Sequence, residues 1–472
     1  MITTIFDGLV EIIPPDNVPR PALAQRWEVL EQGLKYRFHL RKNARWSDGT
    51  PLTAHDCEFA LKRNLSPEMN ALQAKLLNVI KNAESFNTGK LTEWDQVGVK
   101  AVDDHTLDIH LESQVGYLLP LLANVISFPV PRHVIGRYGP NWTDAGNIVS
   151  SGPYRLKEWH KGEKAIYTRN QHYYKPCHGN VDELHTYFNY RDLNNYLKGP
   201  LDISIPNEEF DPADWQEVAG QIVAISGSIN TFSIYINPMS EPFNDMRVRR
   251  ALAVALNKDA FFETLYRSIP RKLIIPAHGG FIPPGIPGHS PGIGLSFDPD
   301  QARELLAQAG FPDGKGFPKF DLIHEEGRFN LERLTEIVDQ WQNVLGIQIA
   351  PKQLDRERYI GLGWSHGLPL TLSGWIADYL DPHNFLAEGF RPQDESHGQL
   401  WYNQEFEDLV AKAAQLQDQQ KRLALYRQAD QVLINEAAII PLSHAINVLI
   451  VKPWIKGRDG NYSVKNITIL PH

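Results

Sequence analysis

The sequence is poor in cysteine, has little excess of charge of either sign, and contains no long hydrophobic run. Two cysteines, Cys57 and Cys177, stand in 472 residues without a Cys-x-x-Cys spacing. That excludes a disulfide scaffold and a cysteine-rich zinc module, and leaves one disulfide or two free thiols open. The 47 basic and 56 acidic side chains give a formal charge of -9, with no basic stripe to follow a phosphate backbone, so no nucleic-acid partner is expected. The longest apolar stretches, 117–130 and 437–451, are broken by Pro120, Asn124 and Ser127 and by Pro441, Ser443, His444 and Asn447. Neither reaches the ~20 apolar residues that a membrane span requires. The opening residues Met1 to Asp7 carry neither a basic n-region nor an apolar h-region, so they do not read as a signal peptide.

Catalytic signatures are also missing. There is no Gly-x-Ser-x-Gly elbow, no His-Glu-x-x-His helix and no phosphate-cradling glycine loop in strand–helix context. His324-Glu325-Glu326 has metal-ligand chemistry but reads as a solvated loop. No metal, cofactor or catalytic residue is therefore expected.

What is present is an ordinary globular composition, 42% hydrophobic, 22% charged and 10% aromatic, long enough for several domains or one large bilobed unit. The first third reads as strands. Tyr36, Phe38 and Leu40 alternate with polar residues, and Val99 and Leu107 to Leu111 flank the turn Asp103-Asp104. A second strand pair, Tyr154 to Trp159 and Ala165 to Thr168, turns at Lys161-Gly162. Thr53-x-x-Asp56 caps a helix in the strand-rich part. From about residue 240 helices alternate with strands. Asn244-Asp245 and Asp298-Pro299 are cap signals, a third helix is expected over Leu331 to Gly346, and two more lie between Glu405 and Asn435. Phe320 to Ile323 and Leu368 to Trp375 fit strands, and the alternation argues an α/β layer structure. The Pro- and Gly-rich segment from Ile274 to Pro299 reads as a long surface connection. Eleven Trp, among them Trp46, Trp142, Trp364, Trp375 and Trp401, supply aromatic walls for either core or ligand.

A set of collinear blocks carries a resemblance. They are Phe6-Asp7-Gly8-Leu9-Val10, Trp46-Ser47-Asp48-Gly49-Thr50-Pro51-Leu52-Thr53 and Gly98 to Thr106. Ser151-Gly152-Pro153-Tyr154, Pro242-Phe243-Asn244-Asp245, Gly374-Trp375-x-Ala377-Asp378-Tyr379 and Val451-Lys452-Pro453-Trp454 follow. Together they resemble the bacterial extracytoplasmic solute-binding proteins of peptide ABC importers (family 5), most of all the oligopeptide-binding branch.

The resemblance implies an α/β, bilobed, periplasmic-binding-protein-like fold with an additional strand-rich domain in the first lobe. Residues 1–16 start lobe I and 17–148 form the smaller strand-rich domain. Residues 149–229 complete the lobe I core, 230–446 form lobe II and 447–472 return to lobe I. It implies a non-enzymatic, monomeric, extracytoplasmic protein that clamps a peptide or peptide-like amine and delivers it to the membrane permease of the importer. By the same resemblance Asp378 meets the ligand ammonium, and Trp375, Gly374, Ala377, Tyr379, Asn330 and Tyr235 line the cleft. Asp381, before Pro382, reads as a turn or cap residue. The family's basic partners for a ligand carboxylate are replaced by Leu372, Asn330 and Gly363, which points to a ligand with a less anionic far end. The Phe6 block begins where the family has already laid down a first strand, so that strand is expected to be missing. A ligand-sensing domain of the same fold and a carbohydrate-active hydrolase are the competing readings.

Overall fold

The computed structural model describes residues 2–13, 17–189, 193–205, 212–224, 229–265, 274–327, 331–361, 368–390, 401–446, 448–457 and 463–472. Asn330, Gly363 and Trp364 lie outside them.

Alternating side chains build the strand-rich module. Strands Ala24–Leu30, Lys35–Leu40, Thr106–His110 and Val99–Asp103 form one antiparallel sheet in that order. Tyr36, Phe38, Leu40, Leu107 and Ile109 point to one face and bury it under Cys57 and Leu61 of helix Ala54–Leu65. That helix starts where expected: the Asp56 carboxylate accepts from the Thr53 backbone N–H at 2.9 Å, satisfying a donor the helix leaves free. Cys57 is buried and Cys177 half-buried, and neither is in a disulfide.

Lobe I contributes the antiparallel sheet Tyr154–His160, Lys164–Arg169, Glu183–Tyr187 and a second sheet in which Val448–Val451 lies between Ile203–Ser204 and Ile222–Ala224. Its core is continuous with that of the strand-rich module.

Lobe II is a three-layer sandwich. Its six strands run in the order Ile274–Pro276, Ile439–Ala445, Asn230–Ile236, Leu370–Ile376, Phe320–Glu325, Ile349–Leu354. The period of two sends Ile234, Leu370, Leu372 and Ile440 to one face, against helices Met246–Val254, Pro299–Gln308 and Leu331–Leu345. Tyr235 and Ile439 go to the other face, against Phe385, Phe390 and helix Gln419–Asn435. Asp245 and Asp298 cap their helices by accepting from Arg247 N and Gln301 N.

The stretch read as a surface connection is instead a core element. Phe281, Ile282 and Ile286 are fully buried with Phe385 and Phe390. Its backbone is satisfied by the buried Asp430 carboxylate, which accepts from Phe281 N at 2.8 Å and Ile282 N at 3.4 Å. Prolines break regular structure there, but three large apolar side chains outweigh them.

Buried ionisable groups under this segment make stability depend on pH. Burial, with His289, Lys258 and His278 nearby, drives the His444 imidazole down to about 3. The unfolded chain therefore takes up that proton first, and stability is lost as pH falls below about 6.5. Asp430 works in the opposite sense: burial raises it to about 7, so its contribution is full in acid and lost as pH rises through 7. Comparison with a variant isolates the histidine. Between pH 7 and 4.5, His444→Asn should lose about 2–3 kcal/mol less stability than the parent in urea unfolding. Equal losses would contradict this.

The polypeptide crosses between lobes twice, side by side. Ala224 pairs with Val448 in lobe I, and Asn230 pairs with Ala445 in lobe II. The two sheets are thus joined at two neighbouring places, Ala224 with Val448 on one side and Asn230 with Ala445 on the other.

A third contact joins the strand-rich module to lobe II. Gly116 N donates to Ala414 O at 2.8 Å, and a Cβ on Gly116 would stand 2.3 Å from the Leu416 carbonyl oxygen. Gly116→Ala should therefore lower stability by about 1–3 kcal/mol, the range for forced overpacking. A thermal melt checks it, and an unchanged Tm would count against the tight docking.

Candidate functional site: the cleft face of lobe II

Strand Leu370–Ile376 carries the site into the space between the lobes. One edge pairs with Asn230–Ile236 along its whole length. The other pairs with Phe320–Glu325 only at Leu370 and Thr371, so among the described residues the edge from Leu372 to Ile376 has no strand beside it. Gly374 sits in that stretch opposite Phe232. Trp375 is half-buried, and its Nε1 donates to Asn384 Oδ1 at 2.9 Å. The same oxygen accepts from Asp378 N at 3.1 Å, and Ala377 N donates to Ile229 O at 2.9 Å. Asn384 thereby fixes the turn that presents Asp378.

Asp378 is exposed and faces the strand-rich module. Gln73 Nε2 donates to its Oδ1 at 2.8 Å and Asn124 Nδ2 to its backbone oxygen at 2.7 Å. Among the described residues its Oδ2 accepts no hydrogen bond, so the carboxylate meets no cation and has acceptor capacity to spare.

The remaining sequence candidates divide. Tyr379 is 2% exposed, stacked on Tyr117 with centroids 5.8 Å apart. It belongs to the seam between module and lobe, because its ring is larger and more apolar than a turn can leave in water. Tyr235 is buried with Phe281 and Phe390 and does not open to the cleft. Leu372, read as the place of a carboxylate partner, packs with Leu370 and Ile234 inside lobe II, on the face opposite Trp375. Trp46 and Trp401 are core residues. His324 is buried, and Glu325 pairs with Arg356 at 2.7 Å. Among the described residues no three metal-ligating side chains stand together.

Asp381 does make the expected turn, accepting from His383 N at 2.9 Å. It also forms a buried bidentate pair with Arg422, Nη1 to Oδ2 at 2.8 Å and Nη2 to Oδ1. Nothing in the spacing of the two residues signals that pair.

Lobe I holds a polar cavity that sequence reasoning missed. A cavity of about 440 Å³ is lined by Asp7, Glu11, Ala123, Phe128 and Lys465, and Ala123 adjoins Asn124. Asp7 is half-buried and accepts from the Tyr173 and Tyr174 hydroxyls, both at 2.8 Å. Burial raises its carboxyl above the ordinary range, although Lys465 and Lys175 oppose that. Glu11 is also penalised by burial, yet Lys465 and Lys175, at 2.9 and 2.6 Å, hold it below its usual value. The only signal in the sequence was the place of Asp7 inside the Phe6–Val10 block.

Two lobes joined at two neighbouring places, with an exposed carboxylate where they meet, define a solute-binding clamp. The family model described as bacterial extracellular solute-binding proteins, family 5, matches residues 18–397, and the chain belongs to that family. It is 30% identical to the periplasmic oligopeptide-binding protein OppA of Salmonella typhimurium, over 99% of this chain and 88% of that protein. It is also 30% identical to the probable deoxycholate-binding periplasmic protein YgiS of Escherichia coli, over 97% and 85%. Among solved structures, the periplasmic murein tripeptide binding protein MppA in its unliganded open form superposes with a TM-score of 0.84. Identity there is 26%, over 100% of this chain and 92% of that one.

Proposed function

We propose that the protein is the substrate-binding component of an ABC importer, taking an oligopeptide or peptide-like amine between its lobes outside the cytoplasm and presenting it to the membrane permease. The observation that carries this reading is the exposed Asp378 carboxylate just past strand Leu370–Ile376, which accepts from Gln73 and meets no cation among the described residues. The ammonium end of a bound peptide needs an anion, since a desolvated charge is costly unless paired. Asp378 supplies that anion once the ammonium displaces the Gln73 amide. Trp375, Gly374 and Ala377 form the floor beside it.

Closure rotates residues 230–446 against residues 1–229 and 447–472 about an axis through the paired crossings and the seam of Tyr117 with Tyr379, which stays packed, with 17–148 carried as part of lobe I. The likeness to a relative caught open and without ligand supports reading this arrangement as the empty clamp.

Native mass spectrometry of the purified protein, followed by small-angle scattering with the recovered ligand, tests the reading. A co-purifying peptide or amine that lowers the radius of gyration is expected. Absence of any bound mass, with scattering unchanged by added peptides, would contradict it.

A further inference from the structure

A second cavity, of about 420 Å³, lies where the first residues of lobe I, the strand-rich module and the lobe I sheet meet. Phe6, Ile126, Phe128, Trp142, Leu156 and Trp159 form its walls, and Trp142 meets Phe6 edge-on at 6.4 Å. Ile2 and Val125, which also line it, are exposed and mark its mouth. No Asp, Glu, Lys or Arg is among the lining residues. Two of its polar groups are nevertheless unspent. Strands Tyr154–His160 and Lys164–Arg169 pair Leu156 with Tyr167, and this one sheet brings the Trp159 indole and the Tyr167 phenol to the wall. The indole Nε1 and the phenol oxygen are both shut off from solvent and have no hydrogen-bond partner among the described residues. Buried Trp and Tyr donors ordinarily find an acceptor, so two orphans on one wall call for an explanation. The neighbouring amides are taken: Asn64 donates to the Ile126 carbonyl at 2.7 Å and Gln73 to Asp378 at 2.8 Å.

We propose that this cavity is a binding site in its own right, separate from the cleft, for an uncharged ring-bearing molecule with one hydrogen-bond acceptor, such as an aromatic ketone or ester. Its volume lies in the range of small-molecule pockets, and apolar walls with a few placed polar groups are the composition of such pockets. Aromatic walls reward a flat ring by area and by edge-to-face geometry. The acceptor oxygen of the guest takes the Trp159 and Tyr167 protons, which pairs two donors that the fold leaves bare. Charge is selected against on both sides. A cation finds no carboxylate here and an anion finds no ammonium or guanidinium, so either would lose its water without repayment. Both donors stand on adjacent strands of one sheet, which holds their spacing fixed.

The assignment does not depend on Asp378, and the experiment keeps the two sites apart. The probe is prodan, an uncharged fluorescent naphthyl ketone, and its control is the dimethylaminonaphthalene that lacks the propionyl group. Both are titrated by fluorescence into the parent, Thr143→Trp, Asp378→Asn and the double variant Trp159→Phe with Tyr167→Phe, each checked by a thermal melt. Thr143→Trp fills the cavity from the half-buried end of the helical turn Gly139–Thr143. The parent should bind one equivalent of prodan, with its emission shifted to the blue. Thr143→Trp should weaken prodan at least tenfold, and Asp378→Asn should leave it unchanged. The double variant should weaken prodan about three- to tenfold more than it weakens the control, the worth of a hydrogen bond made only by the ketone. Absence of saturable binding, full affinity in Thr143→Trp, or loss in Asp378→Asn overturns the separate site. Equal losses of prodan and control in the double variant overturn the role of the two donors, and that comparison stands even if Thr143→Trp fails to fold.

Discussion

Arg422→Ala should unfold at a temperature on the order of 5 °C below the parent. Arg422 is fully buried, and its guanidinium grips both oxygens of the equally buried Asp381. Burial alone would pull the guanidinium down, but the Asp381 carboxylate holds it above its ordinary value. Removing it leaves a carboxylate in a dry seam, which costs about 3–5 kcal/mol in comparable pairs. The loss does not stop at charge. Arg422 also lies over the Tyr426 ring at 5.0 Å and the Tyr117 ring at 5.9 Å. Tyr117 stacks on His383 at 3.9 Å, and His383 Nδ1 shares a hydrogen bond with the Tyr426 hydroxyl at 2.9 Å. Tyr117 belongs to the strand-rich module and the other residues to lobe II, so the seam between them loosens with the pair. Replacing both partners, Asp381→Asn with Arg422→Met, should restore much of the loss because no lone charge remains. A single variant that melts with the parent would show that the pair is not what secures the seam.

Asp378→Asn should leave the melt unchanged and weaken peptide binding by about 2–5 kcal/mol, the range for breaking one half of a desolvated charge pair. The side chain is exposed and holds a single hydrogen bond, from Gln73, which the amide oxygen of Asn can still accept. Folding therefore has little to lose. A bound ammonium would lose its only fixed counter-charge, which shows as a rise in Kd of roughly thirtyfold to several thousandfold. Isothermal titration beside a thermal melt separates the two effects, and unchanged affinity with an unchanged melt would remove Asp378 from the site.

Residue patterns made much of this architecture legible, and the reasons are local. Tyr36, Phe38 and Leu40 could only be one face of a strand, and Asp298-Pro299 could only open a helix. The α/β bilobed class and the family were readable because blocks spread along the chain agree in order. What was not readable depends on which distant side chains meet. Periodicity placed Leu372 in a strand, but only the six-stranded sheet shows it facing the helices with Leu370, away from Trp375. Tyr379 sits one residue from Asp378 and yet turns inward, because Tyr117 of the other module waits to stack on it. The Asp381–Arg422 pair spans 41 positions, and Asp7, Glu11 and Lys465 converge from opposite ends of the chain. The Ile274 to Pro299 segment misled for the opposite reason: its prolines and glycines speak for irregular backbone, and irregular backbone can still be buried when Asp430 answers its N–H groups.

The account turns on a ligand amine meeting one carboxylate as the lobes shut, and a thermodynamic cycle addresses that contact alone. The same peptide, with a free and with an acetylated N-terminus, is titrated into the parent and into Asp378→Asn. Acetylation should weaken binding to the parent by a large factor and binding to Asp378→Asn by little, since the partner of the charge is already gone. Equal penalties in both proteins would mean that the amine is recognised elsewhere or not at all, and the assignment of Asp378 would fall.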